Sequence, residues 1–410
     1  MADSNKKLRI LYLLHEFPSL SETFIMNEII ELTKSGHEIT ILAKKKNDQV
    51  VHKEISDFNL LKNNYYSHVD KYQRGREKLL AFSGKLLENL FSRPFLTCKY
   101  LKYLRKTHKN IWSAMDSFFS LEKVVRKKFD IIHGSFSTYD IIENAYFLSK
   151  LLNCKFTFTF RAYELYRKPY PEELAKRINI VKKASAIITI SEYNKKYLES
   201  RFGLKNIRVV HDSINISKFK PAKIKKKKKI VSVGRFVDQK GMQYLVEACK
   251  ILYERNVDYE CILIGDGSNK NALENIIAEE NIPNITLTGF IPAEQVRKEL
   301  SSASVFVLPC IIGKNNDRDI LANVLKEAMA MKIPVITSNI CGVDEMIKDG
   351  ESGLLVEEKN PEQIADKIQL ILSKPPIAKK IGEEGRKMMS KEYNIKKEVR
   401  KLEKVFHQVI

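Results

Sequence analysis

The sequence predicts an α/β protein built as two doubly wound parallel-sheet domains. Three observations carry this: the length, a strand–helix alternation that runs through both halves, and an abrupt change of charge between them. A chain of 410 residues exceeds one ordinary core and suits two domains of roughly 200 residues each. With 44% hydrophobic and 30% charged residues, a soluble folded protein is expected, and disordered or fibrous classes are excluded. The net charge is +21, which points to a polyanionic partner: nucleic acid, an anionic membrane surface, or phosphorylated ligands. The excess sits in the first half. Residues 1–224 hold 41 basic and 23 acidic residues, whereas residues 230–410 hold 25 and 27.

The elements follow in order. The apolar run 8–14 predicts a buried strand, and 15–20 a turn. A helix is expected from Ser21, with Glu22 in its first turn and Gly36 closing it before a strand at 38–42. Further short apolar runs at 129–133, 155–160 and 186–190, each followed by a polar loop and a helical pattern, extend a parallel sheet. Between 72 and 128 the pattern becomes a long helical region rich in basic and aromatic residues, among them Phe91, Phe95, Tyr100, Tyr103, Trp112, Phe118 and Phe119. It fits a pair of amphipathic helices packed on the sheet, or an element facing an anionic membrane. A lysine run at 225–229, expected as a solvated linker, precedes a second series of strands at 230–233, 260–264, 285–288, 305–308, 334–337 and 353–356. The domains are therefore expected at 1–216 and 217–391. A final helix at about 392–410 would either close the second domain or cross back to the first.

Six cysteines without regular spacing read as reduced thiols, mostly in the core, in a cytosolic protein. No apolar stretch approaches the roughly 20 residues a membrane span needs, so any membrane contact is expected to be peripheral. Walker A, H-E-x-x-H, G-x-S-x-G and zinc-type patterns are absent, and neither a metal nor a tightly held cofactor is expected.

The chemistry-bearing residues cluster in the second half. Gly234 stands at a strand end, with Arg235 and Lys240 on the loop that follows. Open α/β sheets bind ligands beyond the carboxyl ends of their strands, where two cations suit a diphosphate. Gly265 and Gly267 mark another tight strand-to-loop turn. Asp319 and Glu327, with seven residues between them, put one carboxylate in a loop and one on the next helix. Free amides at that helix start suit phosphate, while the carboxylates suit sugar hydroxyls. Phosphate plus polyol suggests a nucleotide sugar.

In their order and spacing, Gly234-Arg235…Lys240-Gly241, Gly265-Asp266-Gly267, Thr288-Gly289-Phe290, Val307-Leu308-Pro309, Asp319…Glu327, Ile333-Pro334-Val335 and Cys341-Gly342-Val343-Asp344-Glu345 resemble glycosyltransferase family 4. In the first half, the Phe17–Phe24 and Val210–Asn215 stretches resemble its exopolysaccharide branch. The resemblance implies the GT-B architecture, two Rossmann-like domains facing across a cleft. It implies retaining, metal-independent transfer of a sugar from a UDP- or GDP-linked donor to a glycan or lipid-linked acceptor. By position it places Arg235 and Lys240 on the donor diphosphate, Asp319 on the sugar hydroxyls and Glu327 on the ribose. The amides of Leu321, Ala322, Asn323 and Val324 would meet sugar and phosphate oxygens, and Phe290 and Ile291 would lie against the base. Ser21, Glu22 and Thr23 would face the diphosphate and acceptor from the first domain.

Three departures stand out. Asp319, Ile320 and Ala322 replace the family's Glu, Gly and Pro. Lys332 replaces a turn glycine, which suggests a different turn conformation there. Arg161 and Glu164 stand where the family commonly has His and Asp, so Arg161 either supplies a permanent cation beside the reacting sugar or signals altered chemistry. A nucleotide-sugar epimerase, a non-catalytic binding or membrane-docking protein of the same fold, and, on charge alone, a nucleic-acid binder remain as rivals. No nucleic-acid recognition motif is present. The sequence leaves the oligomeric state open.

Overall fold

The computed structural model describes residues 6–19, 22–47, 53–66, 75–107, 111–136, 138–221 and 228–410. Ser21, Tyr72 and the first three lysines of the 225–229 run lie outside the described residues, as do the side chains of Tyr103 and Trp112.

The first half forms a seven-stranded sheet from β1 (Arg9–Glu16), β2 (Glu38–Lys45), β3 (Asn64–Tyr66), β4 (Ile131–Ser135), β5 (Lys155–Phe160), β6 (Ala186–Thr189) and β7 (Ile207–Val209). The second forms a six-stranded sheet from β8 (Lys229–Val233), β9 (Glu260–Ile264), β10 (Ile285–Leu287), β11 (Val305–Leu308), β12 (Val335–Ser338) and β13 (Leu354–Val356). Their orders are β3-β2-β1-β4-β5-β6-β7 and β10-β9-β8-β11-β12-β13, and every pairing is parallel. Both sheets thus reverse direction once, between β1 and β4 and between β8 and β11. That reversal opens a crevice at the carboxyl ends of the strands. The strands are near-continuous apolar runs because helices cover both faces: Ile10–Leu14, for example, is buried throughout.

Several boundaries differ from expectation. The first helix is Thr23–Lys34, with Glu22 one residue ahead of it and making no side-chain cap. The short edge strands β3 and β7, three residues each, escaped notice because neither is long enough to show a period. The region after residue 75 holds three helices rather than two: Arg76–Ser92, Pro94–Thr107 and Ile111–Val124. Pro94 splits the first from the second, since a proline restricts the residue before it and lacks an amide. Tyr100 and Phe118 pack into the core, with ring centroids 5.3 Å apart. No helix among the described residues is long and apolar enough to cross a membrane.

The chain passes between the halves twice. After β7 it runs through residues 210–221 to the second sheet, and it returns at 393–395. Ile214 donates to the Tyr393 carbonyl (3.1 Å) and accepts from the Ile395 amide (3.1 Å). The last helix, Ile395–Val409, then buries Val399, Leu402, Val405 and Phe406 in the core around β1 and the first helix. His211 and Glu398 fix this crossing, the His211 amide donating to Oε2 at 2.9 Å.

Candidate active site

On the second sheet, two glycine turns pack backbone to backbone. Gly265 has φ +144°, and a Cβ there would lie 1.9 Å from the Gly234 carbonyl oxygen. Gly241, at φ +62°, likewise faces the Pro309 carbonyl with no room for a side chain. These contacts bring the loop after β8 onto the loop after β11, at the switch point. Gly267 lies against Phe236. Arg235 is exposed; its carbonyl accepts from the Val237 amide at 2.9 Å, while its guanidinium makes no hydrogen bond or ion pair among the described residues. Lys240 is mostly enclosed, and its Nζ meets Asp319 Oδ2 at 2.6 Å. Burial alone would depress the Lys240 ammonium, but the Asp319 carboxylate and Cys310 beside it hold it above its ordinary value. Phe290, 71% exposed, projects from the turn after β10, whereas Ile291 packs on the core. The Gly265 amide joins this turn by donating to the Gly289 carbonyl at 3.1 Å.

Asp319 leads into the helix Asn323–Ala330. Leu321, just before it, adopts φ +52°, an uncommon conformation for a branched residue, and such strain collects at ligand sites. Ala322 caps the helix without a side-chain bond, which leaves its first amides open to an anion. Glu327 lies one turn inside. Burial pushes its carboxyl up to about 7, against the pull of Arg297 and Lys326, and it has no hydrogen-bond partner among the described residues. Its neighbour Lys326 is fully buried and donates to Asn323 Oδ1 at 3.0 Å. Burial lowers it to about 8, with Asp212 of the first half opposing.

On the first half, Arg161 ends β5 at the facing crevice. Its guanidinium is buried, donates from Nε to both Asp212 oxygens (3.1 and 3.2 Å) and from Nη1 to the Ser135 hydroxyl (2.6 Å). It lies between the rings of Phe24 and Phe136, 4.9 and 5.0 Å from their centroids. Glu164, also buried, accepts the Arg161 amide at 2.7 Å. Glu22 and Glu28 face the same cation. Burial pushes each carboxyl up to about 7, with Arg161 opposing, and Glu28 also accepts from the Tyr12 hydroxyl at 2.9 Å. Thr23 opens the helix beside them. Asp212, Glu28 and Lys326 carry no role in the sequence-based reading. Asp212 fell within a recognised stretch, but nothing local signals that these charges are buried and share neighbours.

Two facing Rossmann-like sheets, with cations and carboxylates gathered at the switch point of one, define the GT-B fold class of sugar transferases. Residues 21–218 match the family described as Glycosyltransferase Family 4, and residues 213–388 match Glycosyl transferases group 1. Together these models cover most of the chain, which belongs to this two-domain glycosyltransferase family. The amylovoran biosynthesis glycosyltransferase AmsK of Erwinia amylovora is 26% identical over 372 residues, 87% of this chain and 89% of that protein. The putative colanic acid biosynthesis glycosyltransferase WcaL of Salmonella typhimurium is 25% identical over 376 residues, covering 88% and 90%. The fold is shared with a sucrose-phosphate synthase of Thermosynechococcus elongatus (TM-score 0.71, 19% identical, 98% of each chain). It is also shared with Anabaena HepE, solved with UDP and glucose (TM-score 0.69, 12% identical, 97% and 98%).

Proposed function

We propose that the chain transfers a sugar from a UDP- or GDP-linked donor to a glycan or lipid-linked acceptor in the synthesis of a cell-surface polysaccharide, with retention of configuration and without a metal. The observation that carries this is the Lys240–Asp319 pair, 2.6 Å apart, set between the switch-point crevice and the open start of a helix. A donor diphosphate takes over Lys240 as its counter-charge, and Asp319 is released to the sugar hydroxyls. Arg235 and the amides of residues 322–324 supply further positive potential to the departing diphosphate. That is where charge develops as the sugar becomes oxocarbenium-like, and fixed cations and dipoles there lower the barrier. This supply of charge stands in for a divalent ion, so chelator is expected to leave turnover unchanged. Arg161, pinned by Asp212 and two aromatic rings, fixes a positive potential on the opposite wall. The relatives AmsK and WcaL are named for the biosynthesis of amylovoran and of colanic acid, which supports a role in polysaccharide synthesis, and the first half of this chain is the basic one. That half is proposed to rest on an anionic membrane surface.

The test is release of nucleoside diphosphate from a panel of UDP- and GDP-sugars in the presence of lipid-linked glycan. Asp319→Ala and Lys240→Ala are each expected to lower it by about 100-fold or more, the scale of losing one preorganised transition-state contact. Turnover that survives both substitutions overturns the site. NMR of the product's anomeric centre tests retention.

A further inference from the structure

The loop that carries Asp319 is tied to the other half of the molecule. Arg318, the residue before it, reaches across so that its guanidinium lies 4.6 Å over the Tyr166 ring and its Nη1 donates to the Tyr193 hydroxyl at 3.1 Å. Its Nη2 turns back to Asn316 Oδ1. The same loop crosses at three more points: Asn316 Nδ2 donates to the Tyr166 carbonyl at 3.1 Å, the Lys168 amide donates to the Asn315 carbonyl at 3.1 Å, and Arg167 Nη1 pairs with Asp317 Oδ2 at 3.6 Å. Arg318 forms no ion pair among the described residues, and its Nε is buried without a partner. Besides Asn316 and Cys341 in its own half, it is the aromatic surface of the first half that compensates this cation, through the ring quadrupole.

A second point of attachment lies after β12. The two carboxylate oxygens of Glu345 accept the amides of Glu192 (2.8 Å) and Tyr193 (2.5 Å), in the first turn of the helix Glu192–Phe202. That helix has its own cap, Ser191 Oγ accepting from Asn194. Glu345 takes amides that this cap leaves open and places a carboxylate at the positive helix end. Gly342 permits the approach, since a Cβ there would lie 2.5 Å from Tyr193 Cβ. Tyr193 is thus gripped from two sides, at its hydroxyl by Arg318 and at its amide by Glu345.

We propose that Arg318 and Glu345 form an interdomain latch on Tyr193, and that Arg318 is a positioning residue holding Asp319 at the donor sugar only while the two halves are docked. The inference rests on the reading of Asp319 as the sugar contact. Separation of the halves strips Arg318 of its aromatic face and frees the Asn315–Asp319 loop at once, so the sugar subsite is assembled by docking, whereas the diphosphate cations Arg235 and Lys240 belong to the donor half alone. Binding of UDP and transfer of sugar are therefore separable.

Amide hydrogen exchange on the full chain tests the latch directly. In Glu345→Ala the Glu192 and Tyr193 amides are expected to lose protection while the rest of their helix, capped by Ser191, keeps it. Unchanged exchange at those two amides overturns the latch. For positioning, Arg318→Ala and Tyr193→Phe are expected to lower kcat/KM for the UDP- or GDP-sugar that the wild type turns over, by about tenfold for an interaction acting through a second group. UDP or GDP affinity, measured by calorimetry, is expected to stay at the wild-type value. Wild-type turnover in both variants, or a nucleotide affinity that falls in parallel with turnover, overturns the positioning role. Turnover that survives in Asp319→Ala instead overturns the donor-site reading, while the exchange result still judges the latch by itself.

Discussion

Glu327 shows how far a single carboxyl depends on its surroundings. Burial raises it from an ordinary value near 4.5 to about 7, so the folded protein holds this proton more tightly than the unfolded chain does. Its ionisation costs the folded state, and stability is expected to fall as pH rises from about 4.5 through 7. Glu327→Gln, which cannot ionise, is expected to flatten that part of a pH–stability curve measured by urea unfolding. If Glu327 holds the donor ribose, the ionised form is the stronger acceptor, and UDP or GDP binding is expected to weaken about tenfold from pH 8 to pH 6, a charged hydrogen bond's share. The nucleotide's own phosphate titrates nearby, so the comparison is between wild type and Glu327→Gln. Identical pH dependence in the two removes Glu327 from the site. The placement of Arg235 and Lys240 in the loop after β8, and of Asp319 and Glu327 in the loop and helix after β11, was legible because each set follows an apolar strand run; their roles are those proposed above. The environment of Arg161 was not legible, since its partners Ser135 and Asp212 stand 26 and 51 residues away and meet it only once the four strands β4 to β7 lie side by side.

The turn at Lys332 makes the same point for an element. A lysine at a family glycine position suggested a new turn shape; the turn found here is left-handed, with Lys332 at φ +61°. Packing dictates this: a Cβ on Gly382, in the helix Pro375–Glu392, would lie 2.1 Å from the Lys332 carbonyl oxygen, so the helix fixes where that carbonyl sits and the side chain accepts the strain. Lys332→Gly is expected to stabilise the donor half by about 0.5–1 kcal/mol, the left-handed penalty less the added freedom of an unfolded glycine. The Lys332–Glu383 contact that is lost, at 3.9 Å and half exposed, is worth less than about 1 kcal/mol. Thermal unfolding measures the gain, and a clear loss would show that this contact outweighs the backbone term. Strand centres were readable wherever an apolar run faced helices on both sides. Edge strands β3 and β7 and the division at Pro94 were not, because three residues carry no period and amphipathic helices in series carry one that does not announce its breaks.

At the scale of the molecule, the charge split acquires a location. Helices Arg76–Ser92 and Pro94–Thr107 present Phe91 and Phe95, 87% and 74% exposed, together with Leu80 and Leu87. These lie among Arg93, Lys99, Lys102 and Arg105, and Lys99 Nζ lies 4.6 Å over the Phe95 ring. Apolar side chains interspersed with cations along two helices fit an anionic bilayer surface: each basic residue contributes roughly 1 kcal/mol near the headgroups, and each buried Phe roughly 1.5–3 kcal/mol. The surface lies on the half proposed to hold the acceptor, so docking would bring a lipid-linked acceptor and the cleft together. Flotation with liposomes is expected to recover the protein with anionic vesicles and far less with neutral ones. Added salt should weaken this recovery as the charges are screened, and Phe91→Ser with Phe95→Ser should reduce it at constant salt. Equal recovery with both vesicle types would remove the electrostatic part of the docking. Full recovery of the double variant would remove this face from it and leave the transfer chemistry of the cleft untouched.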